Sequence, residues 1–186
     1  MGLSVRAKAD TVATYRHVAV FLMETLAAWT PTSPEFEAKA LFGRHIWDMA
    51  QLADQFGRRT AELRMALHQS RRPLDPYGRA LASLAAVMPT GDRIAVFYDA
   101  VVPDLARRFD AYLAATDQLL DEPTVRILER AQLDLRRMRE QRDALLTERP
   151  DLGRHDAAAC VKLAAALSAV TDFVEYQPAQ AAAEAR

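Results

Sequence analysis

The 186-residue chain has one cysteine, six glycines and three lysines against 21 arginines. A single cysteine excludes an internal disulfide. Cys160 stands in the largely apolar run 157–167, which marks it as a buried structural thiol rather than a nucleophile. The longest apolar run, 18–23, falls far short of the roughly 20 residues that span a bilayer. The first residues lack a signal-peptide pattern, and Arg6 argues against lipidation at Gly2. Net charge is −1, so no global field draws nucleic acid or an anionic membrane. The pairs Arg58-Arg59, Arg71-Arg72 and Arg107-Arg108 lack the interleaved aromatics of a nucleic-acid surface. These absences lead us to expect a cytoplasmic protein with no membrane or nucleic-acid partner. The Arg- and Ala-rich composition suggests a GC-rich bacterial genome.

Few glycines, few β-branched clusters and apolar residues recurring every three or four positions predict an all-α fold. A single domain is expected over 1–176, followed by a frayed tail, 177–186. Long helices are expected over 4–29, 34–68, 92–120 and 121–148, with an added helix over 155–176. A short helix at 79–87 is expected within the connection 69–91. Ser33 and Asp92 are read as N-caps and Pro103 as a kink. The inner stripes are Leu41, His45, Met49, Leu52, Phe56 and Leu63; Ile94, Tyr98, Val101, Leu105, Phe109 and Tyr112; and Leu128, Ala131, Leu135, Met138, Arg142 and Leu145. The first helix has two apolar faces, one with Tyr15, Leu22 and Leu26, the other with His17, Val20, Glu24 and Ala27. Periodicity leaves open which faces inward. Leu133 and Ala144 share a side of the fourth helix and are expected to receive the C-terminal helix. Ile46 and Trp47 lie off their helix's stripe, facing the C-terminal helix or a second subunit, so a homodimer stays open.

Short connections join the first pair of long helices and the last pair, with a long crossover between. That is the ferritin-like arrangement rather than a simple up-down bundle. The segment from Glu37 to Asp48 and the opening of the fourth helix, Asp121-Glu122-Pro123-Thr124-Val125-Arg126, resemble a bacterial branch of the ferritin-like superfamily. Glu24, followed by Trp29, is similar to that branch's first helix. The resemblance covers roughly residues 10–148. It implies a four-helix bundle and places the family's two carboxylate-x-x-His metal pairs at Met49/Leu52 and Leu135/Met138. None of these four side chains supplies an oxygen or nitrogen ligand. No histidine helps either, since Thr14, Phe42, Met65 and Leu152 stand three residues before His17, His45, His68 and His155.

The expectation is therefore a degenerate, metal-free ferritin-like bundle without a cofactor. It would bind a small, partly apolar molecule where the metals once sat, with Met49, Leu52, Tyr98, Leu135, Met138 and Arg142 around it. His45, Asp48 and Glu24 are the candidate catalytic residues for a non-redox step in bacterial specialised metabolism. Tyr98 is an acid or anchor, and Arg142 a carboxylate clamp. The alternatives are a non-catalytic scaffold or partner-binding protein with a filled core, and a metal-dependent oxidase with unusual ligands from Glu24, His45 and Asp48. Protein purified with iron and manganese present is expected to carry no stoichiometric metal by elemental analysis. One or two metal ions per chain would put the oxidase first.

Overall fold

The three apolar stripes read from the sequence become the core of an all-helical structure. The computed structural model describes residues 3–176, and no strand occurs among them. The expected tail, 177–186, lies outside the described residues. The elements are α1 (Val5–Thr32), α2 (Phe36–Glu62), α3 (Asp75–Ala82) with a 3-10 turn (Ser83–Ala86), and α4 (Thr90–Ala95). A π-helical turn (Val96–Val101) joins α4 to α5 (Val102–Ala115). Then come α6 (Glu122–Glu148), a second 3-10 turn (Pro150–Gly153) and α7 (Ala157–Ser168). Every residue of the stripes on α2, α4–α5 and α6, with Leu63 just beyond α2, is buried. At about 1.5–3 kcal/mol per fully buried large apolar side chain, these stripes supply a large share of the drive to pack.

The first helix resolves its ambiguity in favour of the face with Tyr15, Leu22 and Leu26, all buried. Tyr15 meets Phe56, Phe109 and Phe173 with ring centroids 5.0–5.6 Å apart, and donates its hydroxyl to the Arg108 carbonyl at 3.0 Å. Glu24 is therefore exposed, one turn beyond half-buried Val20 and two beyond half-buried His17. α1 and α2 pack closely along their length, whereas α2 and α6 stand further apart.

Ser33 closes α1 instead of opening α2. Its backbone N–H and its Oγ both meet the Trp29 carbonyl at 3.0 Å, and the Arg93 guanidinium donates to Ser33 Oγ. A helix C-terminus leaves carbonyls without partners, and this serine and arginine fill that need. Asp92 lies in the first turn of α4, not at its cap, and accepts the Asp156 N–H at 2.7 Å. Gly91 is needed for that crossing, because a Cβ there would stand 2.0 Å from the Arg154 carbonyl oxygen.

α7 is shorter than expected and packs elsewhere. It lies against the π-helical turn and α3, while Leu133 is 53% exposed and Ala144 is also exposed. Arg108 of α5 fixes this placement. Its guanidinium carbon stands 4.4 Å from the ring centroids of both Tyr77 and Phe173, which meet each other edge to face. It bonds the Asp104 carboxylate and donates to the carbonyls of Leu167, Val170 and Thr171, satisfying the end of α7.

A second buried charge ties the long helices together at one end. Asp121, fully buried ahead of α6, accepts hydrogen bonds from Tyr112 (2.7 Å), Thr116 (2.9 Å), Thr124 (2.8 Å) and Arg59 (2.8 Å). Lys8 of α1 lies 3.7 Å away. Burial pushes this carboxyl upward, but the hydrogen bonds from Tyr112, Thr124, Arg59 and Thr116 outweigh it and hold the group below the ordinary aspartate range. Its stabilisation is thus full above the unfolded value near pH 4 and is lost as pH falls through the lower folded value. Asp121→Ala removes the acceptor of four side chains and the carboxylate beside buried Lys8, and is expected to cost about 3–5 kcal/mol in urea unfolding at pH 7. A loss under about 1 kcal/mol would remove the hub role.

Candidate functional site

Tyr98 reaches the interior through an irregular backbone. Pro103 has no N–H for the Asp99 carbonyl, and in a regular helix its ring would strike that oxygen. The chain widens instead, and the Val102 N–H bonds the Phe97 carbonyl five residues back. The sequence pointed to a kink at Pro103; the structure answers with a π-helical turn carrying Tyr98 inward and Asp99 toward α6.

His45 and Tyr98, both fully buried, meet across the core. His45 Nδ1 lies 2.5 Å from Tyr98 Oη, and His45 Nε2 lies 2.8 Å from Gln141 Oε1. Burial raises the Tyr98 phenol well above its ordinary value, so it stays protonated and donates to Nδ1. Burial also holds His45 below the ordinary imidazole range, against the opposing pull of Gln141 and the Asp48 charge. The ring is thus neutral at pH 7, with its proton on Nε2 donated to Gln141. Both ring nitrogens are engaged, which is the state of a satisfied structural histidine.

Arg142 joins this cluster from above. Its guanidinium stands 5.9 Å from the Tyr98 ring centroid and grips the Asp99 carboxylate with bonds of 2.8 and 2.7 Å. Burial works against its charge, but Asp99 and Asp143 hold its pKa above the ordinary guanidinium value. Arg142 is a carboxylate clamp, as expected, but the carboxylate is the chain's own. Asp99 and Gln141 were not singled out from the sequence. Each adjoins a residue that was, Tyr98 and Arg142, and Gln141 follows Met138 at stripe spacing.

Asp48 does not pair with His45. Its Oδ1 accepts from Arg137 Nη2 at 3.1 Å, while Oδ2 is buried with no hydrogen-bond partner. Exposed Glu24 reaches neither group, so the three candidate catalytic residues are not one constellation. Of the four positions where the resemblance places metal ligands, Met49 and Met138 are 1% and 0% exposed, and Leu52 and Leu135 are also buried. This apolar lining does not fit a hard metal ion. Among the described residues, no three His, Cys, Asp or Glu side chains are grouped to hold one.

The space near these positions lies between α2 and α6. A groove of about 410 Å³ is floored by Met49, Leu52, Ala131 and Leu135 and edged by Trp47 and Asp48. Trp47 is 65% exposed and stands over this groove, not against α7. A second hollow, about 330 Å³, lies further along the same seam and is bordered by Leu41, Gln141 and Leu145. The His45–Gln141 and Asp48–Arg137 bonds cross the seam between them. Met138, Tyr98 and Arg142 are not on the wall of the first groove.

Comparison with protein-family models, with curated proteins and with solved structures found no match to this chain. The ferritin-like resemblance therefore rests on the sequence patterns alone.

The depressed imidazole has a consequence for pH. Unfolded His45 takes up a proton near pH 6.5 and the folded residue only at lower pH, so stability is full above 6.5 and declines as pH falls below it. His17 is also depressed, by burial and by Arg72, and acts in the same window. Urea unfolding between pH 7.5 and 5.5 is expected to show the decline, with a shallower slope in His45→Gln. Equal slopes would assign the effect to His17. Tyr98→Phe leaves Nδ1 without its donor and should cost about 1–3 kcal/mol.

Proposed function

We propose that the chain is a degenerate, metal-free ferritin-like bundle that binds a small, partly apolar molecule bearing a hydrogen-bond donor. The binding place is the α2–α6 groove. One observation carries this reading. Three of the four positions aligned with metal ligands, Met49, Leu52 and Leu135, form the floor of a groove whose edge holds a buried, unbonded carboxylate oxygen, Asp48 Oδ2. A buried acceptor without a partner costs about 1–3 kcal/mol, and a rotation of the Asp48 carboxylate that turns Oδ2 into the groove lets a ligand's N–H recover it. The volume falls in the range of small-molecule pockets, roughly 300–1,000 Å³, and methionine suits an adaptable apolar wall. Arg137 and Arg130 also border the groove, paired with Asp48 and Asp134, and an organic ammonium competes with Arg137 for Asp48 while lying against the exposed Trp47 ring.

In this reading His45, Tyr98 and Arg142 hold the seam and are not groups that meet the ligand. Asp48 is the one catalytic candidate on the groove, so any proton transfer would pass through it. A second reading, the non-catalytic scaffold, draws support from the filled centre, where Met138, Tyr98 and His45 are fully buried.

Trp47 supplies the readout, because the other tryptophan, Trp29, is buried. 2-Phenylethylamine is expected to change the intrinsic fluorescence saturably, with the signal lost in Trp47→Phe. Binding should weaken about tenfold or more in Asp48→Asn, the loss expected for a charge-assisted bond. Phenylacetate and ethylbenzene should bind more weakly. The absence of a saturable change with any of the three would leave the scaffold reading standing.

A further inference from the structure

The outer face of α1, which carries His17, is not an idle surface. It forms one wall of a cavity of about 530 Å³, whose other wall is the segment leading into α3. The floor is apolar, with Phe21, Pro73, Leu81 and Ala82, and Leu81 is almost fully buried. Arg72 and Arg79 stand at its edge. Neither side chain has a hydrogen-bond or ion-pair partner among the described residues. Asp75 is the acidic residue on the wall, so two guanidinium groups against one carboxylate leave the cavity positive.

The wall bearing Arg72 is fixed on both sides. The Arg71 N–H bonds the Ala13 carbonyl at 3.1 Å, and the Leu74 N–H bonds the Phe173 carbonyl at 2.8 Å. Arg79 rises from a helix whose Tyr77 is packed against Phe173 and bonded to Asp104. The guanidinium groups are thus borne on anchored backbone rather than a loose loop. A planar fork beside an apolar floor matches a carboxylate attached to an apolar body.

We propose that this cavity is a second ligand site, distinct from the α2–α6 groove, that takes a small organic carboxylate with an aromatic or branched apolar body. The carboxylate lies between Arg72 and Arg79, and the body rests on Phe21 and Leu81. His17 reports occupancy. Burial and then the Arg72 charge keep its pKa low, Arg16 adds to this, and Glu24 opposes it. An anion held by Arg72 and Arg79 offsets the Arg72 charge and raises the imidazole value, with Asp75 as the remaining fixed charge on that wall.

The test follows the imidazole resonances of the full chain by NMR, with His17 assigned through His17→Gln. 2-Naphthoate is expected to shift the His17 signal saturably and raise its pKa. Arg79→Gln should weaken binding about tenfold. Gly78→Leu should abolish it by filling the mouth, where an added Cβ meets nothing within 4 Å and a helical position favours leucine. Thermal melts of both variants establish that they fold. 2-Naphthalenemethanol and inorganic phosphate, each lacking one half of the chemistry, should bind at least tenfold more weakly. A His17 signal that does not move with 2-naphthoate, equal binding of the neutral alcohol, or unchanged affinity in both variants would overturn the proposal.

Discussion

The spacing of α2 from α6 is the constraint on which much of this structure depends. α1 and α2 are joined by close apolar packing, but α2 and α6 are spanned by side chains. Going along α2, the crossings are Glu37 to Arg149, His45 to Gln141, Asp48 to Arg137, and Arg59 to Thr124 and Asp121. Long polar side chains need room that leucines would close. The hollows along the seam are the spaces left between successive crossings. The fourth crossing belongs to the Asp121 hub, which also draws in Lys8 of α1 and Tyr112 of α5.

Most of the fold was legible because helical burial is periodic. Each stripe on α2, α4–α5 and α6 was read correctly, since each had one apolar face. α1 was ambiguous because both of its faces are apolar, and only its partners decide between them. Tyr15 is inside because Phe56, Phe109 and Phe173 surround it, and two of those three lie more than ninety residues away in sequence. Ser33 was misplaced for a related reason. A serine before a proline looks like an N-cap, but the buried Trp29 carbonyl and Arg93 make it the end of the preceding helix. The neighbours of α7 are not legible, because an alanine-rich helix carries little information about which element it meets.

The candidate site was legible in part. His45 and Tyr98 were both read on inner stripes, and they meet across the core. Gln141, the second partner of His45, and Asp99, the partner of Arg142, were not evident, because nothing local distinguishes such a side chain from a solvated one. Met49, Leu52, Leu135 and Met138, where the resemblance places metal ligands, are buried. What the sequence could not show is that the associated space lies outward, between two helices, rather than at the centre. Side-chain volume decides that point, and Met49 and Met138 fill the middle.

The buried Arg108 has an implication for biosynthesis. Its charge is neutralised by Asp104 nearby, yet its remaining donors go to carbonyls 59 to 63 residues later in the chain. One of its two neighbouring rings, Phe173, also arrives from that distance. Until those residues leave the ribosome, the guanidinium has no dry environment it can enter, and this part of the core stays hydrated. The helices before it can associate as they emerge, but the closing of their interior waits for the segment that follows α7.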